Sequence, residues 1–265
     1  MLSAILVAFG FCAGMLGALT GIGGGVLMTP ILALYFGIPI RQAIGTSLVA
    51  VITTSAASSS VHLQRHTTDI RLGMTLELAT SLGAAVMAYL VGYFNRNVLE
   101  GLFAAFLLYS SITILRSGGK LKSDEHAAAL KDENGKIPPY EPQRYPLGLG
   151  ASLVAGALSG LLGIGGGPIK VPVMFIFMDV PLMVATATSN FMIGVTAAAS
   201  AIVYYRRGDI QPEIAAPLAV GVFLGSLLGA RLAPRVHTKI VVYLLVAVML
   251  YLAGHLTFHL LHEVL

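Results

Sequence analysis

The sequence predicts an all-α polytopic membrane protein with two homologous repeats of about four to five membrane segments each, in which a helix is broken by glycines. The chain is 56% hydrophobic and 11% charged, whereas soluble domains carry about 25% charged residues. Gly-Ile-Gly-Gly-Gly occurs at residues 21–25 and again at residues 163–167. Both copies lie in long apolar stretches, where non-helical backbone needs cover from protein or from a water-filled cavity.

The similarity between the two halves extends beyond the glycines. Of the 51 positions from 12 to 62, 19 are identical to the residue 142 places later. Composition alone would repeat Leu, Val and Ala, but it would rarely repeat prolines and Thr-Ser pairs in register, so a duplication is the better account. The matching polar and proline positions are Pro30 and Pro172, Pro39 and Pro181, Thr46 and Thr188, and Ser47 and Ser189.

The predicted helices are set by the length of each apolar stretch. A span needs about 20 apolar residues, so residues 2–37 are too long for one span, and the glycines divide them into arms of about 18 and about 12 residues. Pro39 and Pro181 open the third element of each half, because proline is tolerated in the first turn of a helix. The other predicted helices cover residues 41–61, 72–94, 98–116, 146–162, 167–178, 182–205, 212–233 and 240–261.

The chain divides into an N-terminal membrane repeat (1–116), a cytoplasmic linker (117–144) and a C-terminal membrane repeat (145–265). The linker is polar, with a short surface helix predicted near 123–131. If each glycine-broken segment crosses the membrane once, the chain has eight spans and the two halves run in the same direction. Ten of the Lys and Arg residues outside the segments then lie on the linker side of the membrane and five on the opposite side. If each segment is a hairpin, the halves are inverted, with eleven of these residues on the linker side and four on the opposite side. Both counts obey the positive-inside rule, so the rule does not choose between the two topologies. Short arms favour inverted repeats.

Composition also excludes several functions. The single cysteine, Cys12, rules out an intramolecular disulfide and a Cys-based metal site. A pI near 9.2 is no sign of nucleic-acid binding here, because basic residues of membrane proteins gather in cytoplasmic loops. No ATP-binding motif, catalytic cluster, cofactor site or metal site is predicted. The expected partners are the lipid bilayer and a small anionic solute, with a homodimer left open.

The glycine clusters are the first candidate binding elements. A helix that restarts after glycines directs unpaired N–H groups and a positive dipole end at its ligand, which suits an anion. The alternative is close packing of helices through small residues, which fits Gly14, Gly17 and Gly21 and a second set on a later helix, Gly221, Gly225 and Gly229. The candidate anion-binding glycines are Gly21, Gly23, Gly24, Gly25, Gly163, Gly165, Gly166 and Gly167.

Charged and polar residues at membrane depth are the second set of candidates. Lys170 lies three residues after Gly167, and an ionisable residue at this depth is a functional candidate; the alternative is snorkelling to the interface. Glu77 lies in an apolar helix with no obvious partner, as a weaker candidate for proton coupling. Hydroxyl and amide groups can bind anion oxygens or merely bond between helices, and the candidates are Thr46, Ser47, Thr188, Ser189 and Asn190.

The doubled pattern G-x-G-G-G-x4-P, followed by Pro, Ala and Thr-Ser in each half, resembles the TauE/SafE permease family of sulfite exporters and toluene-sulfonate uptake proteins. The resemblance covers nearly the whole chain apart from the linker. It implies a multi-pass carrier of the bacterial inner membrane for sulfur-containing anions such as sulfite or organosulfonates. The family's glycine motif corresponds to the eight candidate glycines, and Lys170 is not part of it.

We therefore expect a secondary permease that moves a small sulfur-containing anion by alternating access. Export is slightly favoured, because an inside-negative potential drives anions outward and no proton relay is visible in the sequence. The alternatives are an anion channel and an uptake permease coupled to protons or sodium. A membrane enzyme is disfavoured because no nucleophile, metal or acid–base pair is clustered at membrane depth, and a structural subunit gives no reason for two glycine clusters.

Overall fold

The computed structural model describes residues 2–128, 140–233, 236 and 238–264. This part of the chain is helical, and a 3₁₀ turn, Val91–Tyr93, and a π-helical stretch, Val173–Phe177, extend α4 and α7. The ten α-helices are α1 (Leu2–Thr20), α2 (Gly25–Tyr35), α3 (Ile40–Gln64), α4 (Ile70–Leu90), α5 (Arg96–Ala128), α6 (Tyr145–Leu162), α7 (Gly167–Pro172), α8 (Leu182–Arg206), α9 (Pro212–Leu232) and α10 (Thr238–Val264).

Eight of these helices are long and apolar enough to cross a membrane, judged by length and composition. They are α1, α3, α4, α5, α6, α8, α9 and α10, whereas α2 and the stretch from Gly167 to Phe177 are shorter. The prediction of a multi-pass all-helical protein is thereby confirmed.

Glycine and proline set the ends of the central helices. Helix α1 ends at Thr20 and α2 begins at Gly25, and α6 ends at Leu162 before α7 begins at Gly167. Pro39 and Pro181 are the N-cap residues of α3 and α8, with φ of −50° and −53°. Each proline thus lies one position before the first helical turn, where its missing N–H removes no helical hydrogen bond.

Helix α5 is longer than the sequence predicts. Its backbone stays helical to Ala128, beyond the expected end at residue 116. Lys, Leu, Glu and Ala favour helix, and they are frequent between residues 120 and 128. The short helix expected near residues 123–131 is therefore, as far as residue 128, the end of α5, and its last three residues lie outside the described part of the chain.

The helices pack in pairs that join the first half of the chain to the second. Helix α1 packs on α9, α4 on α6, α3 on both α8 and α9, α4 on α8, and α5 on α10. Glycines allow the closest of these approaches. A methyl group at Gly221, Gly225 or Gly229 of α9 would meet the carbonyl of Val7, Phe11 or Met15 of α1. The predicted packing role of the three α9 glycines is confirmed, and the register shows that α1 and α9 run parallel.

Polarity is distributed as expected for a protein surrounded by lipid. Leu78 and Leu82 of α4 are 76% and 62% exposed, whereas Glu77 and Thr80 of the same helix are buried. Buried polar groups need hydrogen-bond partners, and an apolar outer face needs an apolar surrounding. The candidate functional side chains are therefore those that face the protein interior.

Candidate functional site: two glycine loops and a buried ion pair

The two glycine loops, residues 21–24 and residues 163–166, lie against each other in the protein interior. A methyl group built on Gly25 would meet the carbonyl oxygen of Gly163, and one on Gly167 would lie 2.6 Å from the carbonyl oxygens of Gly21 and Ile22. Only glycine allows backbones this close. The first residue of each restarted helix therefore touches the loop of the other half, and all eight predicted glycines are buried together.

Both loops begin with the same backbone conformation. Gly21 and Gly163 have φ of +70° and +71°, a left-handed conformation that costs other residues about 1–2 kcal/mol. Gly163 is the C-cap of α6, and its N–H donates to the Ser159 carbonyl at 2.8 Å. The left-handed residue thus ends the helix, as glycine commonly does.

Each loop is held by a serine from the other half of the chain. Ser189 Oγ donates to the Gly21 carbonyl at 3.0 Å. Ser47 Oγ lies 3.2 Å from the Gly163 carbonyl and 2.8 Å from the Ile44 carbonyl, and it accepts a hydrogen bond from Thr29 Oγ1 at 2.7 Å. These hydroxyls satisfy carbonyls that the helix ends leave unpaired.

The neighbouring threonines and Asn190 also bond to backbone. Thr46 Oγ1 accepts from the Gln211 N–H at 3.3 Å, and Thr188 Oγ1 accepts from the Asp69 N–H at 3.0 Å. Asn190 Nδ2 donates to the Ala18 carbonyl at 3.4 Å, and its Oδ1 is buried without a hydrogen-bond partner among the described residues. The five hydroxyl and amide residues therefore position the loops and helix ends in this conformation.

Lys170 forms a buried ion pair with Glu77. The Lys170 Nζ lies 3.1 Å from Glu77 Oε2, and the two side chains are 1% and 4% exposed. The same ammonium donates to Thr196 Oγ1 at 2.9 Å. The other carboxylate oxygen, Oε1, accepts from Thr196 Oγ1 at 2.6 Å and from Ser81 Oγ at 2.7 Å.

This pair corrects two expectations. Glu77 does have a partner, and the Lys170 charge does not stand alone but is matched by a carboxylate. The two residues are 93 positions apart, so helical periodicity cannot join them. The rule that opposite charges at membrane depth pair with each other was the signal that would have found the contact.

An open cavity of about 350 Å³ lies at the α3–α4 connection, and it is lined by His66, Thr67, Thr68, Asp69, Ile70, Tyr140 and Val184. Asp69 caps α4 through Oδ1, which accepts the Leu72 N–H at 2.9 Å, while Tyr140 donates to Oδ2 at 2.7 Å. Burial and the Asp69 carboxylate raise the pKa of Tyr140 above its ordinary value, so this hydroxyl remains a donor at neutral pH. The Asp69 N–H bonds to Thr188, which connects the cavity wall to α8.

Comparison with known proteins identifies the family. The family model of the sulfite exporter TauE/SafE matches residues 6–256. The chain is 30% identical over 230 residues to the probable membrane transporter protein YunE of Bacillus subtilis, covering 83% of this chain and 84% of that protein. It is 29% identical over 237 residues to a probable membrane transporter protein of Methanocaldococcus jannaschii, covering 84% and 83%.

A more distant relative occurs in a plant. Sulfite exporter TauE/SafE family protein 5 of Arabidopsis thaliana is 30% identical over 138 residues, which cover 51% of this chain and 31% of that protein. No solved structure matches the chain. The two prokaryotic relatives are described as probable membrane transporters, and the eight apolar helices suit a multi-pass protein. The chain belongs to the TauE/SafE sulfite exporter family of membrane transporters.

Proposed function

We propose that this transporter is a secondary carrier of a small sulfur-containing anion, such as sulfite or an organosulfonate, and that the two glycine loops form its central site. The observation that carries the proposal is the contact between the loops. Gly25 approaches the loop of residues 163–166, and Gly167 approaches the loop of residues 21–24. In carriers built from repeats, the solute is bound where broken helices of the two repeats meet.

We also propose that the halves are inverted repeats and that α1 and α2 form a hairpin. Helix α1 runs parallel to α9, and α4 runs parallel to α6, because methyl groups at Gly156 and Gly160 would meet the carbonyls of Thr80 and Ala84. Helix α3 runs antiparallel to α8, since Thr46 bonds to Gln211 beyond the end of α8 and Thr188 bonds to Asp69 beyond the end of α3.

With short connections between neighbouring helices, these directions give α1 and α6 opposite orientations and give α1 and α3 the same orientation. Helix α2 must then return towards the side where α1 begins. The ring centroids of Phe9 and Phe36 lie 6.4 Å apart, which supports such a return. In this arrangement the linker side of the membrane carries eleven of the fifteen Lys and Arg residues outside the segments, and that side is the cytoplasm by the positive-inside rule.

The site in this conformation is closed, because the loop residues are buried and backbone from the opposite half fills the space beside them. Alternating access requires the two halves to move relative to each other. The first residues of α2 supply N–H groups and a positive helix end for an oxyanion, and Lys170 supplies a positive charge. Ser47, Ser189 and Asn190 lie beside the loops and can donate hydrogen bonds to the anion when the loops separate.

The test is a binding titration of the purified full chain. Sulfite, sulfate, sulfoacetate, taurine and a carboxylate of similar size are compared by calorimetry on the native chain and on Gly25→Ala. A methyl group at residue 25 meets the Gly163 carbonyl and occupies space beside the first N–H groups of α2, where the anion would approach, so binding of the preferred sulfur anion should weaken at least about tenfold. Gly150→Ala is the matched control, because nothing lies within 4 Å of a methyl group at that position of α6.

Binding unchanged in Gly25→Ala would contradict a site at the loops, and a native chain that binds none of the anions would contradict the substrate class. Flux into vesicles then separates carrier from channel. An alternating-access carrier speeds labelled sulfite entry when unlabelled sulfite is inside, whereas a channel gives no such acceleration.

A further inference from the structure

We propose that Glu77 and Lys170 form a proton-coupled exchange site, in which the substrate anion replaces the Glu77 carboxylate on the Lys170 ammonium and Glu77 takes up one proton. The inference rests on the proposed function and adds the coupling ion and the group that binds it. In the closed state the carboxylate occupies the position on the ammonium that an anion would take. It thus acts as an internal counter-ion that the substrate displaces.

The backbone of Lys170 lies directly after a glycine loop. Lys170 lies in the first turn after the loop of residues 163–166, and its own N–H donates to the Gly166 carbonyl at 3.1 Å. Gly167, three residues earlier, touches the carbonyl groups of Gly21 and Ile22. The exchange requires the Lys170 side chain to turn on its flexible stem from the carboxylate towards an anion held at the loops.

The balance of charge requires a proton. Lys170 and Glu77 together are neutral, and a monoanion entering beside them would leave one uncompensated negative charge in a buried site, which is strongly unfavourable. Protonation of Glu77 restores neutrality, with one O–H bond formed on the carboxylate for each monoanion bound. Ser81 and Thr196 can adapt to this change, because a hydroxyl that donates to a carboxylate can also accept from a carboxylic acid.

The surroundings of Glu77 leave Lys170 as its charged partner. Helix α6 contains no Asp, Glu, Lys, Arg or His, and its one titratable side chain is Tyr145 at its first residue. The charged residue of α8 is Arg206, at the far end of the helix beside Tyr204 and Tyr205. On α4 the other titratable residues are Arg71 and Tyr89, and the stretch from Val173 to Phe177 contains none.

This arrangement changes the expected energetics of transport. A monoanion that moves with one proton carries no net charge, so the membrane potential does not drive it. The preference for export depended on the absence of a visible proton relay. With Glu77 as the proton-binding group, the direction depends on the sum of the proton and anion gradients, and uptake becomes feasible.

The test measures the protons that accompany sulfite binding. Calorimetric titrations of the full chain in two buffers with different ionisation enthalpies give the proton count for the native chain, Glu77→Gln and Glu100→Gln. Sulfite's own titration is common to all three and cancels in the differences. Gln has the shape of a protonated Glu, so Glu77→Gln should take up about one proton fewer per sulfite and bind sulfite about tenfold more tightly near neutral pH.

Glu100→Gln is the matched control, because Glu100 is also a buried carboxylate in an ion pair, with Arg96 Nε at 2.6 Å from its Oε1. Its proton count and affinity should equal those of the native chain. Native binding of sulfite with an unchanged proton count in Glu77→Gln would overturn the exchange site while leaving the proposed function intact. A native chain that binds no anion would instead overturn the proposed function.

A second variant gives a readout that does not depend on Glu77→Gln folding. Ser81→Ala removes one hydrogen bond to the carboxylate and therefore favours its protonated form. The midpoint of the pH dependence of sulfite binding, measured from about pH 5 to about pH 9, should move to higher pH. An unchanged midpoint would show that the pair is purely structural and would overturn the proposal.

Discussion

The two halves of the chain agree at the start of their glycine loops and differ in the helices that begin after those loops. Both have a left-handed glycine after the first helix and a serine from the opposite half that bonds to that glycine's carbonyl. After the second loop, however, Lys170 occupies the position that Met28 has in the first half. Both side chains are buried, but only Lys170 introduces a charge.

Glu77, the partner of Lys170, is also present in one half alone. Glu77 lies near the middle of α4, whereas α9, which packs on α1 as α4 packs on α6, has its acidic residue Glu213 in the first turn. The features shared by both halves bring the two loops into contact. The residues found in one half alone, Lys170 and Glu77, supply the charges of the buried ion pair.

The largest expected effect comes from making the two halves alike. Lys170→Met introduces the residue of the first half and leaves the Glu77 carboxylate buried without its ammonium. Removing one partner of a buried pair costs about 3–5 kcal/mol, so thermal unfolding of the purified protein should shift to markedly lower temperature. The double variant Lys170→Met with Glu77→Gln is the control, because it removes both charges and should recover most of the loss.

If Lys170→Met were as stable as the native chain, the carboxylate would have to be solvated or paired elsewhere in the absence of the lysine. That result would contradict the buried ion pair. Sulfite binding by the recovered double variant separates stability from function. If the proposed site is correct, this folded variant should bind sulfite weakly, because it lacks the Lys170 ammonium.

Much of the scaffold was predictable because it depends on backbone constraints. Glycine clusters and Pro39 and Pro181 mark helix ends whatever surrounds them, so the helix bounds were predicted to within a few residues over most of the chain. The end of α5 was missed because a polar segment has no apolar stripe to define its limit. The contact between Glu77 and Lys170 depends on how α4, α7 and α8 pack, and a pattern along one helix does not contain that information.

The hydroxyl candidates show the same limit. The repeat of Thr-Ser in both halves marked Thr46, Ser47, Thr188 and Ser189 as candidates. It could not show whether their side chains bind substrate or form hydrogen bonds with the backbone. Their bonds to Gly163, Gly21, Gln211 and Asp69 became visible only in three dimensions. Their part in binding substrate stays a prediction.

A smaller and symmetric effect is expected when the left-handed glycines are replaced. Gly21→Ala and Gly163→Ala each place a side chain at positive φ, and the added methyl groups would lie 2.5 Å from Thr186 Cγ2 and 2.6 Å from Ser47 Oγ. Each should cost about 1–3 kcal/mol, and the two losses should be similar if the loops are equivalent. The measurement is again thermal unfolding of the purified variants.

Gly37→Ala separates the two causes of that loss. Gly37 also has a positive φ, of +64°, but nothing lies within 4 Å of a methyl group there. It should therefore show only the conformational part of the cost, about 1 kcal/mol. A loss at Gly37 as large as at Gly21 and Gly163 would mean that crowding between the halves contributes little.

The smallest expected effects come from the two serines, and they test whether the loops are held equally. Ser189→Ala removes one hydrogen bond and leaves the buried Gly21 carbonyl without its hydroxyl donor, at a cost of about 1–3 kcal/mol near the lower end of that range. Ser47→Ala should cost less, because Thr29 Oγ1 already lies 3.3 Å from the Leu162 carbonyl and can bond there fully once Ser47 is gone. Thermal unfolding of both variants measures the difference. A larger loss of stability for Ser47→Ala would show that the loop of residues 163–166 depends more strongly on its serine than the loop of residues 21–24 does. The two loops would then not be equivalent, and the more dependent loop would be the one that precedes Lys170.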